Sequence, residues 1–343
     1  MIKSLSTLTL ALVATVGFTQ QPVVLTNNPT DKKVEVTIDG KPFTAYFYPG
    51  PDVLKKAVLY PLRTVNGTDI TRGWPINPRP GERVDHPHHV GMWLNYEDAN
   101  GHDFWNNSLS VNHAKNTYGT IVHTGIKSIK SGKKQGELTV TADWLDKNGG
   151  LMLTETTTYI FKGDAQTRTV DRITTLTAKT DVTFKDVKDG FFAIRVAREL
   201  EHPSDKPEVF TDASGIATKV PVMNNAGVTG SYRNSEGVEG EAVWSKRAKW
   251  CNLRGKMGNE TVNLVIIDHP KNVGYPTYWH ARGYGLFAAN PLGQKIFSNG
   301  AEELNLKLKT GESTTFRYRT VIASASLSDA QIDTMTADFG KTK

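Results

Sequence analysis

The sequence predicts an all-β protein: one large antiparallel β-sandwich of two curved sheets with a short C-terminal helix. Three observations support this prediction. Apolar and polar residues alternate in many short segments, turn signals separate these segments, and no helical patterns lie between them. Because helices do not alternate with the strands, doubly wound and TIM-barrel folds are disfavoured.

The strand segments follow one another along the chain. Val34, Val36 and Ile38 have the period of two that marks one face of a half-buried strand. Further strand segments are predicted at residues 90–94, 138–144, 151–161, 304–308 and 316–323. Hairpin turns are predicted at Asp39-Gly40, Asn148-Gly149-Gly150, Lys162-Gly163-Asp164 and Thr310-Gly311-Glu312.

One helix is predicted at the end of the chain. Ser328 and Gln331 have the spacing of a capping box, and Ile332, Met335 and Phe339 repeat at helical intervals. We expect this helix to pack across a sheet.

Residues 1–20 are predicted to be a signal peptide, and residues 21–343 a single β-sandwich domain. Lys3 supplies the positive end of the signal, and residues 8–18 supply its apolar stretch. The predicted location is therefore periplasmic or secreted. No later apolar run is long enough to cross a bilayer, so the mature chain is not expected to insert into a membrane. The lone Cys251 cannot form an intramolecular disulfide.

The charge and composition of the chain exclude few classes of function. The formal charge is +6, or about +5 without the signal, and the basic residues are scattered among acidic ones. A nucleic-acid partner is therefore not expected. The sequence does not predict an oligomeric state.

The segment with the highest density of candidate catalytic side chains is residues 79–105, which contains four of the nine histidines. Asp85, His86, His88 and His89 place an acid beside three imidazoles, whose ordinary pKa lies near neutrality. Pro87 and a following glycine indicate a loop that leads into a strand. On a strand His86 and His88 would point the same way, with His89 pointing elsewhere.

Three interpretations of this cluster remain open. In the first, a neutral imidazole accepts a proton while a neighbour, held charged by Asp85 or Glu82, donates one. In the second, His86, His88 or His89 binds a divalent metal together with His280 or Asp103, although no diagnostic metal spacing is present. In the third, the imidazoles are structural. No cofactor is predicted, and the divalent metal stays an alternative.

A second cluster covers residues 268–285 and repeats the Asp-His-Pro pattern before an aromatic-flanked His280. The two clusters are predicted to face one cleft with a carbohydrate substrate in it. The predicted substrate-binding residues are aromatic side chains that stack a sugar ring, arginines that bind negative charge, and one acid: Trp93, Trp105, Trp279, Arg83, Arg282 and Asp103. Each aromatic residue also has a core interpretation.

Four motifs resemble the so-called PmoA family of bacterial domains of unknown function. These motifs are residues 80–93, 100–105, 268–272 and 279–293, and the resemblance runs from about residue 34 to residue 323. The family label is borrowed from a subunit of the particulate methane oxygenase, a membrane protein, so that activity is not expected here. The resemblance implies a galactose-mutarotase-like β-sandwich with a histidine acid and a carboxylate base, but no residue matches the mutarotase catalytic Glu.

The leading hypothesis is an exported carbohydrate-active enzyme, either a hydrolase or a lyase. His88 is the first choice for acid/base catalysis, followed by His86, His89 and His280, with Asp85 orienting an imidazole. The alternative is a carbohydrate-binding module of the same fold without turnover. A metal-dependent enzyme is the third possibility.

Overall fold

Two eight-stranded antiparallel sheets make up most of the described chain. The computed structural model describes residues 20–342 apart from Lys115, Pro207, Ala213, Gly215 and residues 221–223. Apart from its last residue, the predicted signal peptide lies outside the described residues. No helix of the described residues is long and apolar enough to cross a membrane.

The strands range in length from two to thirteen residues. The first ten are β1 (Val23–Asn28), β2 (Lys33–Ile38), β3 (Lys41–Phe47), β4 (Val58–Leu59), β5 (Met92–Tyr96), β6 (Thr120–Lys130), β7 (Gly136–Leu145), β8 (Leu151–Gly163), β9 (Thr167–Ala178) and β10 (Val182–Thr183). The remaining strands are β11 (Gly190–Arg195), β12 (Glu208–Thr211), β13 (Ala217–Val220), β14 (Ser231–Asn234), β15 (Trp250–Met257), β16 (Glu260–Asp268), β17 (Tyr278–Arg282), β18 (Leu286–Asn290), β19 (Lys307–Leu308) and β20 (Ser313–Ala323). The helices are α1 (Gln294–Phe297) and α2 (Asp329–Phe339), and the 3-10 turns are Arg198–Leu200 and Gly240–Val243.

The first sheet has the strand order β1-β2-β3-β4-β5-β11-β18-β17, and the second has the order β14-β15-β16-β20-β9-β8-β7-β6. The pairs β10-β19 and β12-β13 form two small ribbons. One apolar cluster draws side chains from both large sheets, so their inner faces pack against each other. The predicted all-β antiparallel sandwich is confirmed.

The predicted alternation places the expected side chains in this core. Val34, Val36 and Ile38 are buried on β2, and the apolar positions of β7 are buried as well. Such alternation is expected for a strand with one face against the core. The segment at residues 304–308 is different, because only Lys307–Leu308 forms a strand, paired with the two-residue β10.

The C-terminal helix forms as predicted. The side chain of Ser328 accepts the backbone N–H of Gln331, and the Gln331 side chain accepts the backbone N–H of Ser328, which completes the capping box. Ile332 and Phe339 pack with Trp250 on the outer face of the second sheet.

The outer face of the first sheet is also covered, and it carries the predicted site. A second apolar cluster there contains Trp93, Trp105, Ala193, Leu286 and Ala288. The inner faces of the same strands contribute to the main core, so the side chains on this outer face are set apart from it.

Candidate functional site on the outer face of the first sheet

The histidine-rich segment forms a tight turn ahead of β5. The backbone N–H of His89 donates to the carbonyl of His86 at 3.0 Å, with Pro87 and His88 between them. The backbone of His86 has a φ of +47°, in the left-handed region that residues other than glycine rarely adopt. Strand alternation therefore does not apply here, and the rings that face each other are those of His86 and His89.

Two buried arginines hold this turn. The guanidinium of Arg72 donates to three backbone carbonyls of the turn, those of Asp85 at 2.7 Å, His86 at 2.9 Å and His89 at 2.9 Å. Arg195 on β11 donates to Oδ1 of Asp85 at 2.6 Å, and Arg72 reaches the same oxygen at 2.9 Å. Buried cations require such partners, because an unpaired charge in a protein interior is costly.

Asp85 and His86 form an oriented pair. Oδ2 of Asp85 lies 2.5 Å from Nδ1 of His86. Burial alone would raise the pKa of Asp85, but the hydrogen bond from His86 and the charges of Arg195 and Arg72 bring it well below its usual value. An ionised carboxylate only accepts, so Nδ1 of His86 carries the proton and Nε2 is left for other chemistry. The His86 side chain is 41% exposed.

Four rings stack from the surface into the outer-face cluster. Tyr284, just after β17, stacks on His86 at 5.1 Å and an interplanar angle of 1°. His86 stacks on His89 at 4.8 Å and 2°, and His89 stacks on Trp93 at 5.3 Å and 24°. The guanidinium of Arg195 lies 5.1 Å from the Tyr284 ring centre. The stack fixes the plane of the exposed imidazole.

The other two imidazoles of the turn are buried and neutral. Arg195 can only donate, so Nδ1 of His89, at 3.1 Å, accepts from it. Burial lowers the pKa of His89 well below its usual value, and the neighbouring His88 and Arg195 lower it further. Burial likewise lowers the pKa of His88, and Lys56 adds to the effect. Within the described chain neither ring nitrogen of His88 has a hydrogen-bond partner.

The segment around His280 reaches the same face. Trp93, Ala193, Ala288 and His280 lie side by side in the register of β5, β11, β18 and β17. Adjacent strands are about 4.8 Å apart, so the backbones of Trp93 and His280 are separated by about 14 Å. The two alanines leave room between them for the indoles of the outer-face cluster.

His280 is buried beside a carboxylate that the sequence did not single out. Nδ1 of His280 lies 3.8 Å from Oδ1 of Asp189. Burial lowers the pKa of His280 to about 3, and the charges of Lys188 and Arg282 add to this. The charge of His86 acts on both His280 and Asp189. The segments around residues 86 and 280 therefore lie on the same face, near enough for their charges to interact.

Two carboxyl groups of this site have pKa values above the usual range of such groups. Burial raises the pKa of Asp189, against the charges of Lys188, His86 and Arg282. Burial and the negative charge of Asp189 raise the pKa of Glu97 to about 7. The backbone N–H of Asp189 donates to Oε2 of Glu97 at 3.3 Å, which links the two. Carboxyl groups with raised pKa values are typical of acid/base sites.

The predicted substrate-binding residues separate into two groups. Arg282 is exposed on this face, with its guanidinium 5.9 Å from the ring centre of Tyr284. Trp93 and Trp105 lie on the face but are fully buried, so their ring faces contact protein. Asp103 is buried and accepts hydrogen bonds from Asn106 at 2.8 and 3.0 Å.

Two of these residues do not reach the site with their side chains. Arg83 is buried, and its Nε donates to Oε2 of Glu201 at 2.6 Å. Trp279 points to the opposite face of the sheet, into the main core, where its Nε1 donates to the carbonyl of Ala248 at 3.2 Å. The structure therefore gives both residues a structural role.

The second Asp-His-Pro sequence is also structural. The buried Asp268 ends β16 in the other sheet and accepts hydrogen bonds from Asn272 at 2.7 Å and from the backbone N–H of Thr277 at 2.8 Å. His269 packs against Phe339 of α2. The loop at residues 268–277 is thus tied to the second sheet, and of this second cluster it is His280, Arg282 and Tyr284 that reach the site.

The described residues contain no group of three His, Cys, Asp or Glu side chains arranged to hold a metal ion. The parallel stacking of His86 and His89 explains part of this, since the nitrogen lone pairs of stacked rings lie in parallel planes and do not converge on one point.

Several residues of the site were missed by the sequence reasoning. Arg195 ends the otherwise apolar strand Gly190–Arg195, and a cation in such a strand is a signal for a buried ion pair. Tyr284 lies within the second cluster, residues 268–285, but it is not among the predicted site residues. Arg72, Asp189 and Glu97 carry no local pattern that marks them.

Comparisons with known proteins give a family and a set of distant structures. Residues 33–337 match DUF6807, a family of unknown function. A comparison with curated proteins gave no match. Nothing in these comparisons supports the PmoA label.

The similar solved structures are distant. The GH36 α-galactosidase AgaB from Geobacillus stearothermophilus is 12% identical, with a TM-score of 0.40, 88% of this chain covered and 41% of the other. Galactose 1-epimerase from Lactobacillus acidophilus NCFM is 11% identical, with a TM-score of 0.37 and coverages of 89% and 98%. The α-galactosidase from Lactobacillus brevis is 10% identical, with a TM-score of 0.37 and coverages of 92% and 41%.

The chain thus spans about two fifths of the length of these α-galactosidases. At such identities the likeness is one of overall β-sandwich architecture, and the activities in these names are those of the named proteins. The family match, in contrast, extends over most of the chain, and the protein belongs to the DUF6807 family.

Proposed function

We propose that this protein is an exported carbohydrate-active enzyme, a hydrolase or a lyase, in which His86 transfers a proton to or from the substrate. The observation that carries the proposal is the exposed imidazole of His86 held at 2.5 Å by the carboxylate of Asp85. A histidine fixed by a carboxylate through Nδ1 presents Nε2 as a general base, and the carboxylate stabilises the imidazolium that forms.

The proposed assignment moves the first choice from His88 to His86. The side chain of His88 is buried, and the low pKa of this imidazole, caused first by burial, makes it a poor proton acceptor. His86 alone of the three combines exposure with a carboxylate partner. His89 supports it from below through the ring stack.

Asp189 is the second proton-transfer group in this proposal. Its carboxyl group is near enough to His86 for their charges to interact, and its side chain is 19% exposed. In this proposal Asp189 donates a proton to a leaving oxygen, while His86 takes a proton from water or from a carbon atom of the sugar. Burial raises the pKa of Asp189, the direction that a general acid requires. Arg282 is placed to bind negative charge that develops on the substrate.

The experiment is to incubate the purified protein with a panel of neutral and acidic oligosaccharides. New reducing ends would reveal hydrolysis, and ultraviolet absorbance of unsaturated products would reveal elimination. We expect His86→Asn and Asp189→Asn each to lower turnover by about 10²- to 10⁴-fold, the usual contribution of a general acid or base. Asn is chosen at position 86 because it tolerates the left-handed backbone.

His102→Asn is the matched control, since His102 lies in a hairpin turn paired with Ala99 and away from the Asp85–His86 pair. All variants should unfold at nearly the same temperature as the parent. Binding of oligosaccharides without any product would replace the enzyme proposal by that of a carbohydrate-binding module. Full turnover by His86→Asn would remove this residue from the mechanism.

A further inference from the structure

A separate cavity lies behind the histidine turn. It has a volume of about 270 Å³, near the lower end of the range for small-molecule sites, about 300 Å³. His88 and Pro87 line it, so the turn that presents His86 on one side contributes to this cavity on the other. Its remaining walls come from residues 52–56, 75–76 and 107–110.

The inner wall of the cavity has unused hydrogen-bonding groups. Both ring nitrogens of His88 and Oγ of Ser108 are buried and lack a partner in the described chain. Their residues are only 7% and 8% exposed. Buried polar atoms without partners are destabilising, and most native proteins avoid them. A carboxylate could accept from the hydroxyl of Ser108 and from the one N–H of the neutral His88 imidazole, whose other nitrogen accepts from a donor such as a sugar hydroxyl.

The same wall carries a buried cation. Nζ of Lys56 donates to the carbonyl of His88 at 2.7 Å, and it has no ion pair with a carboxylate in the described part of the chain. Lys56 is 5% exposed. Burial lowers the pKa of Lys56 to about 7, with the charge of Asp103 acting in the opposite direction. The ammonium group therefore lacks the close anion that a buried lysine normally has.

The electrostatic surroundings of His88 point the same way. The largest charge effect on the pKa of His88 comes from Lys56, which lowers it, and the buried guanidinium groups of Arg72 and Arg195 also lower it. Among the residues that line the cavity, Asp52 and Lys55 carry opposite charges and Lys56 adds one positive charge. The lining therefore has a net positive charge when Lys56 is protonated, and it attracts an anion more strongly than water does.

The outer walls are apolar. Leu54, Pro75 and Ile76 line the cavity, and Val53 and Leu109 at its mouth are 47% and 56% exposed. Such walls contact carbon better than water. A bare inorganic ion would leave them without a partner, whereas an organic anion places its carbon skeleton against them.

We propose that this cavity binds the carboxylate of an acidic monosaccharide unit. Lys56 pairs with the carboxylate, Ser108 and His88 donate hydrogen bonds to its oxygens, and the apolar walls contact the sugar ring. The sugar class rests on the proposed function, which this site extends by naming acidic sugars as the substrate. The anion preference rests on the cavity alone.

Isothermal titration of the purified protein tests the site. The probes are D-galacturonate and D-glucuronate, the neutral sugars D-galactose and D-glucose, and acetate and phosphate as simple anions. We expect at least one uronate to bind at least tenfold more tightly than its neutral counterpart and than either simple anion. That ratio corresponds to one hydrogen bond or ion pair to a charged group.

Lys56→Met removes the charge and keeps the chain length, and it should weaken uronate binding by tenfold or more. Ser108→Ala should weaken it by a smaller factor. Lys134→Met, at an exposed lysine in the loop between β6 and β7, is the matched control and should bind as the parent does. Lys56→Met is expected to fold, because an apolar side chain in an apolar site is tolerated.

Equal uronate affinity of Lys56→Met and the parent would overturn the proposal. So would equal affinity for acetate or phosphate and the uronates, or no uronate binding at all. His86→Asn separates the two proposals, because it should lose turnover and keep uronate binding. Lys56-dependent binding without turnover of any oligosaccharide would leave the cavity assignment intact and refute the enzyme.

Discussion

The strongest structural test of the site is the replacement of Asp85 by Asn. The Asp85 carboxylate accepts from Arg72 at 2.9 Å, from Arg195 at 2.6 Å and from His86 at 2.5 Å. An amide keeps the shape but removes the charge, and its NH₂ group would face a donor. Arg72 keeps its three carbonyl acceptors, whereas Arg195 loses its only carboxylate in the described chain.

Removal of one partner from a buried ion pair typically costs about 3 to 5 kcal/mol, because the other charge stays buried. At about 2 °C per kcal/mol for a chain of this length, Asp85→Asn should melt about 6 to 10 °C below the parent at pH 7. Urea unfolding followed by the fluorescence of the seven tryptophans measures the free energy of unfolding directly. Asp143→Asn on β7 is the control, because its carboxylate has no hydrogen bond or ion pair in the described chain.

The pH dependence gives the same experiment a second readout. The pKa of Asp85 is well below its usual value in the folded state, because of His86, Arg195 and Arg72, and near 4 in the unfolded state. Its stabilising effect is therefore complete above about pH 4 and is lost as the pH falls further. The gap between variant and parent should narrow in acid. A folded Asp85→Asn within 1 kcal/mol of the parent at pH 7 would refute this account of the turn.

Two further predictions concern buried bases. Lys56→Met should be about 2 to 4 kcal/mol more stable to unfolding than the parent at pH 7. Burial lowers the pKa of Lys56 to about 7 in the folded state, whereas its pKa in the unfolded state is about 10.4. Urea unfolding from pH 7 to 10 should show this gap closing as the pH rises, and a constant gap would contradict it. His280→Gln should remove acid sensitivity: the folded pKa of His280 is about 3, mainly through burial, against about 6.5 unfolded. As the pH falls from 6.5 towards 3, the free energy of unfolding of the parent should thus decrease by up to about 1.4 kcal/mol per pH unit relative to that of the variant. If the two proteins lose stability in parallel, His280 is not buried as described.

The local pattern was sufficient for most of the fold. Strands β2, β7, β8 and β20 and helix α2 follow from alternation and capping, because each buries one face or one stripe. The exception at residues 304–308 has leucines at the right spacing but only a two-residue partner strand, β10. Alternation shows which residues prefer burial, whereas a ladder also requires a neighbour of sufficient length.

The sequence predicted many of the residue types in the site, but it did not predict how their side chains are arranged. The grouping of Asp85, His86 and His280 on one face agrees with the predicted meeting of two segments. The choice among the three adjacent histidines depends on a turn with a left-handed residue at His86, which the period-two pattern does not encode. Asp189 reaches the site through the register of β11, which is a property of sheet order and leaves no trace in the neighbouring sequence.

The way Arg72 holds the turn has a consequence for how this protein can change. The guanidinium of Arg72 donates hydrogen bonds to three main-chain carbonyl oxygens of the turn, which every amino acid provides. These hydrogen bonds therefore do not depend on which side chains the turn displays. Position 86 carries the exposed side chain of the turn, so a substitution there exchanges the displayed chemical group while the main-chain contacts of Arg72 persist. Its left-handed backbone favours residues such as Asn, Asp and Gly, and a library at position 86 is best limited to them.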